Sequence, residues 1–201
     1  MSATRPRKSR SDGERSRAVI LDQAARLATV DGLGGLSLSR LADAVGMSKS
    51  GLFAHFGSKE ELQLATIEAA EKVFADIVLA PATGTRGMAR VRALVDGYLA
   101  YVHNETFPGG CFFASALVEM SMQPGEPRDR LVDFMNRWLA ELEAALREAQ
   151  DGGSLAQDED PTQLAFELEA ALFLANAQFA AARNSTPIRR ARSMIERRLG
   201  L

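Results

Sequence analysis

Residues 48–51 combine two serine hydroxyls and a lysine ammonium with a glycine, a set of groups suited to contact with nucleic acid. Lys49 can donate to a phosphate or to a base edge, and Ser50 can donate to either. Gly51 has no side chain, so the backbone there can approach a ligand closely. The alternative for Lys49 is an ordinary exposed lysine. We therefore expect this segment to contact nucleic acid, provided that a helix presents it.

The segment before these residues predicts a short helix that ends in a tight turn. Ser37 is a residue type favoured at a helix N-cap, and Gly46 supplies the left-handed conformation that commonly ends a helix. Between them, Ser39 and Arg40 lie where a first helix could grip a phosphate backbone. The apolar face of this helix is formed by Leu38, Leu41, Ala42 and Val45.

The segment after the turn predicts a second short helix, followed at once by a longer one. Ser48 is placed to cap the second helix, in which Leu52, Phe53 and Phe56 recur at helical spacing. Residues 58–61, Ser-Lys-Glu-Glu, form a capping box that opens the next helix, and the amide-rich end of that helix is a natural anion site. A helix-turn-helix of this kind places its second helix in the major groove of DNA. The sequence thus predicts double-stranded DNA as a partner.

The same segment resembles the signature of the tetracycline-repressor (TetR) family of bacterial regulators. The resemblance is carried by Leu41-Ala42, Gly46-Met47-Ser48, Gly51-Leu52-Phe53, His55-Phe56 and Lys59-Glu60-Glu61-Leu62. Residues 16–32 are similar to the family's first helix. Phe53 departs from the pattern, because the family usually carries a tyrosine there, whose hydroxyl could bond to a phosphate.

The resemblance also implies which further side chains face DNA. It adds Phe53, His55 and Lys59 to the surface, with His55 and Lys59 chiefly at phosphate. The alternative for His55 is a partly buried structural histidine. The complete set of predicted DNA contacts is Ser39, Arg40, Ser48, Lys49, Ser50, Gly51, Phe53, His55 and Lys59.

Charge is distributed unevenly along the chain, although the formal net charge is only −2. Residues 1–60 hold ten Lys or Arg and six acids, whereas residues 61–201 hold fourteen Lys or Arg and twenty acids. A basic end on an acidic body is expected if only that end meets phosphate. Chance fluctuation is the alternative, and the position of the helix-turn-helix inside the basic part argues against it.

Composition predicts an ordinary globular protein of the cytoplasm. Apolar residues make up 46% and charged residues 25% of the 201 residues. No uninterrupted apolar run reaches ~18 residues, and no apolar core of a secretory signal follows the basic N-terminus, so we expect no membrane partner. The single cysteine, Cys111, excludes an internal disulfide and fits a reducing compartment.

Breaks rich in Gly and Pro divide the chain into helical segments. Because no sustained alternation of β-branched residues is present, we expect an all-α fold of about nine helices. Residues 1–14 predict a disordered basic arm, whose Arg5, Arg7, Lys8 and Arg10 could follow a DNA backbone or minor groove, or could merely solubilise the chain. Residues 15–62 are then the DNA-binding domain, and the resemblance makes residues 63–201 a helical domain for effector binding and dimerisation.

The penultimate helix, about residues 161–184, is apolar on more than one face and must be covered on both sides. The second cover could be another helix of the chain or a second copy of the protein. The resemblance implies the second copy, since family members dimerise through a four-helix bundle built from their last two long helices. The predicted interface of this homodimer consists of Phe166, Phe173, Ala177, Ala180, Ile188 and Ile195.

Aromatic and methionine side chains concentrate on the central helices, where we expect most of them to be core. The resemblance implies a ligand cavity among these helices, and hence a small-molecule effector of apolar or aromatic character. Tyr98, Tyr101, His103 and Trp138 carry the polar tips that could orient it. The predicted ligand-binding residues are Phe74, Met88, Tyr98, Tyr101, His103, Phe112, Phe113, Phe134 and Trp138.

Cys111 lies at a predicted helix start, where the helix dipole could lower its pKa and favour the thiolate. This leaves open a regulator that senses oxidants or electrophiles through Cys111, or a thiol-dependent enzyme. The other interpretation is a small apolar residue packed at a tight corner. With two histidines, one cysteine and no Gly-rich phosphate loop, the sequence predicts no enzyme activity, no metal site and no cofactor.

Together these features predict a ligand-responsive, DNA-binding transcriptional regulator. We expect a repressor that binds a palindromic operator as a homodimer and is released by a small-molecule effector. The competing hypothesis is a DNA-binding protein with an entirely filled core and no effector.

Overall fold

The computed structural model describes residues 10–201, with side chains from residue 13 onward. Within this range the regular elements are nine α-helices, one π-helical turn and one 3-10 turn, so the predicted all-α fold is confirmed. Arg5, Arg7 and Lys8 of the predicted arm lie outside the described residues. The first helix already begins at Arg10, so residues 10–14 are helical rather than part of a disordered arm.

The N-terminal unit contains the helix-turn-helix and has a small core of its own. Its elements are α1 (Arg10–Asp31), α2 (Leu38–Val45), α3 (Lys49–Phe53) and the first turns of α4 (Lys59–Phe74). The apolar faces of these helices meet in one cluster, as their spacing predicts. The buried members of that cluster are Ile20, Ala24, Leu36, Leu41, Ala42, Leu52, Phe56, Leu62 and Ala65.

Side-chain caps fix where these short helices begin. The hydroxyls of Ser37, Ser48 and Ser58 each accept from the backbone N–H three residues later, at the starts of α2, α3 and α4. Gly46 ends α2 in the left-handed region, with φ of 65°. A cap contributes about 1 kcal/mol, which matters here because helices as short as α3 are unstable in isolation.

The long helix α4 leads from the N-terminal unit into the rest of the molecule, and its regular α-helical part ends at Phe74. After Phe74 the backbone passes through a π-helical turn, Ala75–Leu79, and a 3-10 turn, Ala80–Ala82. Gly97 packs against the π-helical turn so closely that a Cβ there would lie 3.1 Å from the carbonyl oxygen of Val78. This close approach favours glycine at position 97.

The remaining five helices form the C-terminal body. They are α5 (Gly87–His103), α6 (Phe112–Met120), α7 (Glu126–Asp151), α8 (Pro161–Ala182) and α9 (Thr186–Arg198). Arg90, near the start of α5, pairs with Glu141 at 2.5 Å and with Glu148 at 3.0 Å, towards the end of α7. These two helices therefore run antiparallel through the centre of the body.

Phe74, the last residue of α4, lies at the centre of an aromatic cluster inside the body. Its side chain is 1% exposed. Its ring meets five other rings in edge-to-face geometry, with centroids 5.1 to 6.3 Å apart. Those five rings belong to Tyr98, Tyr101, Phe113, Phe134 and Trp138. One residue thus joins α4 to α5, α6 and α7.

Replacing Phe74 by alanine should lower the free energy of unfolding by about 3–5 kcal/mol, because the side chain is fully buried and its neighbours belong to three helices. Val30→Ala, at a side chain 61% exposed on α1, is the control and should change stability by less than about 0.5 kcal/mol. Urea unfolding at equal protein concentration measures both. Equal losses in the two variants would contradict the central position of Phe74.

Candidate DNA interface and interior site

α3 presents Lys49, Ser50 and Phe53 to solvent on the surface of the N-terminal unit. All three are exposed, and the Phe53 ring is 52% exposed. Leu52, between them, is fully buried and anchors the helix on the small core. An ammonium, a hydroxyl and an apolar ring on one short helix can contact phosphates, base edges and thymine methyl groups.

Ser48 and Gly51 form the N-terminal cap of α3 beside this surface. The Ser48 Oγ accepts from the Gly51 N–H at 3.1 Å and lies 3.3 Å from the Ser50 Oγ. A Cβ at position 51 would lie 3.1 Å from the Ser48 hydroxyl. The glycine therefore leaves the cap undisturbed and keeps the backbone open at the start of α3.

Lys59 and Arg40, two of the predicted phosphate contacts, bind the end of α1 and the turn that follows it. The Lys59 Nζ donates to the Gly34 carbonyl at 2.5 Å. Arg40 pairs with Asp31 at 2.6 Å, yet 62% of its side chain remains exposed. Ser39 is half-buried beside it. These contacts hold two basic groups at the surface, where their charge remains accessible to a phosphate.

His55 is half-buried at the edge of the same surface, and it is fixed by a residue that the sequence did not single out. Its carbonyl accepts from Arg17 of α1 at 2.7 Å. The Arg17 guanidinium lies 4.4 Å above the Phe56 ring, a cation–π contact. Arg17 is 38 residues away in the chain, so no local pattern could reveal this contact.

A carboxylate of the body holds the turn that precedes α2. Glu119, on α6, accepts from the backbone N–H of Leu33 at 2.6 Å and of Gly34 at 2.8 Å. The Gln63 side chain of α4 donates to the Leu33 carbonyl at 3.0 Å. A Cβ at Gly32, whose φ is 86°, would lie 2.5 Å from the Glu119 carboxylate. Glu119 thus ties the N-terminal unit to α6.

The turn before α6 makes a second contact between the two parts. The Gly109 N–H donates to the Thr29 Oγ1 of α1 at 3.1 Å. A Cβ at position 109 would lie 1.8 Å from the Thr29 carbonyl oxygen, which leaves no room for any side chain. The two backbones touch directly here.

Seven of the nine predicted ligand-binding residues come together in the interior of the body. Each of these side chains is at most 7% exposed. They are Phe74, Tyr98, Tyr101, Phe112, Phe113, Phe134 and Trp138. Two cavities, of about 460 and about 400 Å³, lie nearer the surface, and these rings line neither of them. In this structure the rings pack against one another at the place where a ligand was predicted.

Met88 and His103 do not belong to this interior cluster. Met88 is half-buried and packs at the edge of the core. His103 is exposed, its Nε2 lies 2.9 Å from the Ser185 hydroxyl, and its ring packs against Phe179. The prediction that His103 contacts a ligand inside the body was wrong, because the last residue of α5 points towards the connection between α8 and α9.

Polar groups lie among the interior rings. The Trp138 indole donates to the Glu169 carboxylate at 2.6 Å, and the Tyr101 hydroxyl accepts from the Phe112 N–H at 3.4 Å. Tyr98 is only 2% exposed, and its hydroxyl has no nitrogen or oxygen partner but faces the Cys111 thiol. Burial raises the pKa of Glu169 to about 7, against the lowering effect of the indole N–H. Glu169 was not predicted from the sequence, although an acid inside the apolar stripe of α8 is a visible signal.

Cys111 is buried at the N-cap of α6, with only 2% of the residue exposed. Its backbone N–H donates to the Asn176 side chain at 2.7 Å. Burial raises the pKa of the Cys111 thiol to about 11, although neighbouring amides of α6 act to lower it. Desolvation outweighs the helix terminus, so the thiol is protonated at neutral pH, and the alternative interpretation of Cys111 as a residue packed at a tight corner agrees with the structure.

The residues exposed on the outer faces of α8 and α9 differ in part from the predicted dimer interface. Ile188 and Ile195 are only 7% and 3% exposed, since α9 uses this stripe to pack on its own chain, so their assignment to a partner-facing surface was wrong. Apolar side chains that do face solvent are Phe166 (64% exposed), Leu174 (57%) and Met194 (46%). Phe173 and Ala180 are half-buried, and Ala177 is exposed.

α8 is also long and apolar enough, by length and composition alone, to cross a membrane. Half of its apolar window is buried against the rest of the chain. The core helix of a water-soluble protein meets the same criterion, so this property does not distinguish a membrane from a protein partner.

Two protein-family models match the chain. A model described as bacterial regulatory proteins of the tetR family covers residues 20–66, which contain the helix-turn-helix. A model described as a tetracyclin repressor-like C-terminal domain covers residues 87–195, from α5 into α9. The two matches fall on the two parts of the molecule described above.

Relatives and solved structures agree with these matches. The transcriptional regulator AcuR of Cereibacter sphaeroides is 27% identical over 145 residues, which are 68% of this chain and 64% of AcuR, less than two thirds of that protein. A TetR transcriptional regulator from Chloroflexus aurantiacus has a TM-score of 0.87 at 22% identity, covering 94% of this chain and 96% of that one. AibR, solved with isovaleryl coenzyme A and operator DNA, has a TM-score of 0.73 at 24% identity, covering 90% and 97%. The structural likenesses show a shared fold.

Replacing Lys49 by alanine should weaken binding to a specific DNA site by about 1–3 kcal/mol if Lys49 contacts a base. If it contacts a phosphate, the salt dependence of binding should fall by about one charge. Fluorescence anisotropy at several salt concentrations distinguishes these results. Lys72→Ala, at an exposed position in the last turn of α4, is the control. Unchanged affinity of Lys49→Ala at moderate salt would place α3 away from DNA.

Glu119→Gln should expose the turn before α2, because an amide has one accepting oxygen where the carboxylate uses two. Hydrogen bonds to a charged group contribute about 1.5–3 kcal/mol, so the Leu33 and Gly34 amides should exchange with solvent roughly 10- to 100-fold faster. Hydrogen-exchange mass spectrometry measures this, with Glu68→Gln, exposed on α4, as the control. Equal protection in wild type and Glu119→Gln would show that the contact is dispensable.

Proposed function

The chain belongs to the tetracycline-repressor family of bacterial regulators, and from this membership we propose that it is a repressor which binds a palindromic operator as a homodimer. A small-molecule effector in the C-terminal body releases it. The observation that carries this proposal is the face of α3, where Lys49, Ser50 and Phe53 are exposed on a capped and anchored helix. The family consists of transcriptional regulators, so catalysis forms no part of the proposed role.

The proposed DNA complex has α3 in the major groove. Lys49, Ser50 and Phe53 face the base edges, while Arg40, Lys59 and the amides at the start of α4 contact the phosphates that flank them. Two copies of the chain place their α3 helices about one helical turn of DNA apart, or a multiple of that, as a palindromic site requires. Residues 15–62 are the DNA-binding domain in this proposal, residues 63–201 the regulatory domain, and the cytoplasm the compartment.

The proposed dimer buries the outer faces of α8 and α9. Phe166, Leu174 and Met194 are each about half exposed or more in the single chain, and apolar patches rimmed by polar residues commonly mark protein interfaces. Pairing of these helices with their copies gives a four-helix bundle, which covers the apolar outer side of α8. Phe173, Ala177 and Ala180 extend the same face of α8, whereas Ile188 and Ile195 remain internal.

Two helices can carry a change in the interior to the DNA-binding unit. α4 runs from the Ser58 cap, close to α3, to Phe74 at the centre of the ring cluster. α6 places Phe113 in that cluster near its start and Glu119 on the turn before α2 near its end. A ligand that repacks the rings therefore moves both helices, and a coupling of about 1–3 kcal/mol is typical of such transmission.

Two alternative functions differ in how far the structure favours them. A regulator or enzyme that depends on Cys111 is disfavoured, since the thiol is buried and burial raises its pKa to about 11. A DNA-binding protein without an effector is favoured by one observation, the closed packing of the interior rings. A thermal-shift screen separates it from the proposed repressor, because a bound ligand stabilises the native state.

Selection of bound sequences from random DNA, at low and moderate salt, tests the DNA-binding part of the proposal. We expect an inverted repeat that persists at moderate salt. Binding that collapses with added salt would indicate contact with phosphates alone and would contradict sequence-specific recognition.

Phe166→Glu tests the dimer, because a charge in an apolar interface is unfavourable. Light scattering should show a monomer at concentrations where the wild type is a dimer, and affinity for the selected inverted repeat should fall at least tenfold. Met122→Glu, at a residue 90% exposed outside α8 and α9, should change neither. A dimeric Phe166→Glu protein with full affinity would rule out this interface.

A further inference from the structure

Glu169 is the acidic side chain that the described part of the molecule buries in its interior, where it is 8% exposed. Its hydrogen bond comes from the Trp138 indole at 2.6 Å. Glu167, two residues earlier on α8, pairs with Arg198 at 2.7 Å. Among the described residues no Lys, Arg or His forms such a pair with Glu169. The interior thus holds an acid without a cation.

An unpaired acid is unfavourable in this position. Burial raises the pKa of Glu169 to about 7 because the charged form is deprived of water. The groups that face it are Trp138 from α7, Tyr98 from α5 and Cys111 before α6, and none of them carries a positive charge. A neutral side chain of similar size would avoid the penalty. The acid becomes favourable when a cation balances its charge.

The rings beside Glu169 are arranged to receive a cation. The Tyr98 and Trp138 rings are stacked, with centroids 6.0 Å apart and an angle of 18° between their planes. The faces of aromatic rings carry negative potential and attract positive charge. The buried Tyr98 hydroxyl has no nitrogen or oxygen partner and faces the Cys111 thiol, a weak hydrogen-bond partner that a ligand can replace.

An anionic ligand fits this interior poorly. The polar residues buried in the described chain are Gln63, Thr66, Glu169 and Asn176, with no basic residue among them. The other three already form hydrogen bonds to backbone groups. A carboxylate or phosphate would therefore meet no cation here and, when Glu169 is ionised, would face its like charge.

We propose that the effector is a small organic cation, a protonated amine or a quaternary ammonium, whose charge is balanced by Glu169 and which packs against Tyr98 and Trp138. This inference rests on the proposed function and names the chemical class of its effector. Binding separates rings that pack together in this structure, which moves Phe74 at the end of α4.

A surface cavity lies on the same two helices as the stacked rings. It has a volume of about 400 Å³ and is lined by Leu79, Leu94, Arg90 and Glu141 among others. Leu94 lies one helical turn before Tyr98 on α5, and Glu141 lies one turn after Trp138 on α7. The ion pair of Arg90 with Glu141 forms part of the lining of this cavity.

Titration of the full-length protein with tetramethylammonium chloride tests the inference through Trp138, the single tryptophan of the chain. At pH 8 we expect a saturable change in fluorescence that equal sodium chloride and tert-butanol, a neutral molecule of similar size, do not produce. At pH 6 the affinity should be about tenfold weaker, since a carboxyl with a pKa of about 7 is then mostly protonated. No saturable change at pH 8 would overturn the inference.

Glu169→Gln is the decisive variant, and Glu167→Gln removes the same charge from the same helix outside the interior. Glu169→Gln should bind tetramethylammonium at least tenfold more weakly at pH 8 and without dependence on pH, whereas Glu167→Gln should match the wild type. Equal affinity in wild type and Glu169→Gln would refute the role of the acid. If Glu169→Gln does not fold, the pH dependence of the wild type decides, and equal affinity at pH 6 and pH 8 refutes it.

Operator binding measured on the same proteins separates this inference from the proposed function. A wild type that binds the operator but not the cation would contradict only the effector class. A wild type that fails to bind any specific DNA would instead contradict the proposed function.

Discussion

The edge-to-face packing of Phe74 against five rings is the contact on which the arrangement of the molecule depends. Through it, the helix that carries the N-terminal unit ends in the centre of the body and not on its surface. α4 cannot shift without separating rings from α5, α6 and α7. Because protein interiors are close-packed and change between discrete arrangements, an altered ring packing is expressed as a new helix position and not as a gradual deformation.

Three polar residues of the interior lie where burial disfavours their charged forms. The Tyr98 hydroxyl has only the weak Cys111 thiol beside it, and the Glu169 carboxyl lacks a cation, both unfavourable in a closed core. Cys111 lies at a helix terminus, yet burial dominates and raises its pKa. For all three groups desolvation is the largest influence, so proximity to a helix end or to a single donor does not decide their ionisation. Sites that must accept a ligand commonly retain such unfavourable groups.

Local signals made the N-terminal unit predictable, whereas contacts between distant segments were not. Ser37, Gly46 and Ser48 act within four residues of themselves, so the sequence sufficed to place their helices. Glu119 meets Leu33 across 86 positions, and Trp138 meets Glu169 across 31, and neither pair leaves a mark in local spacing. The stripe of Ile188 and Ile195 was visible as apolar, but periodicity cannot tell whether such a stripe faces its own chain or a partner. The prediction for His103 was wrong for a related reason. α5 ends at that residue, and periodicity does not show which way the last side chain of a helix points.

The contacts between Gly109 and Thr29, and between Glu119 and the amides of Leu33 and Gly34, involve backbone atoms of the partner segment. Backbone atoms are the same whatever side chains surround them. Substitutions on the α3 surface or among the interior rings therefore leave the joint between the two parts intact. In the proposed repressor, descendants of such a chain can then change operator and effector independently, each by substitutions confined to one domain.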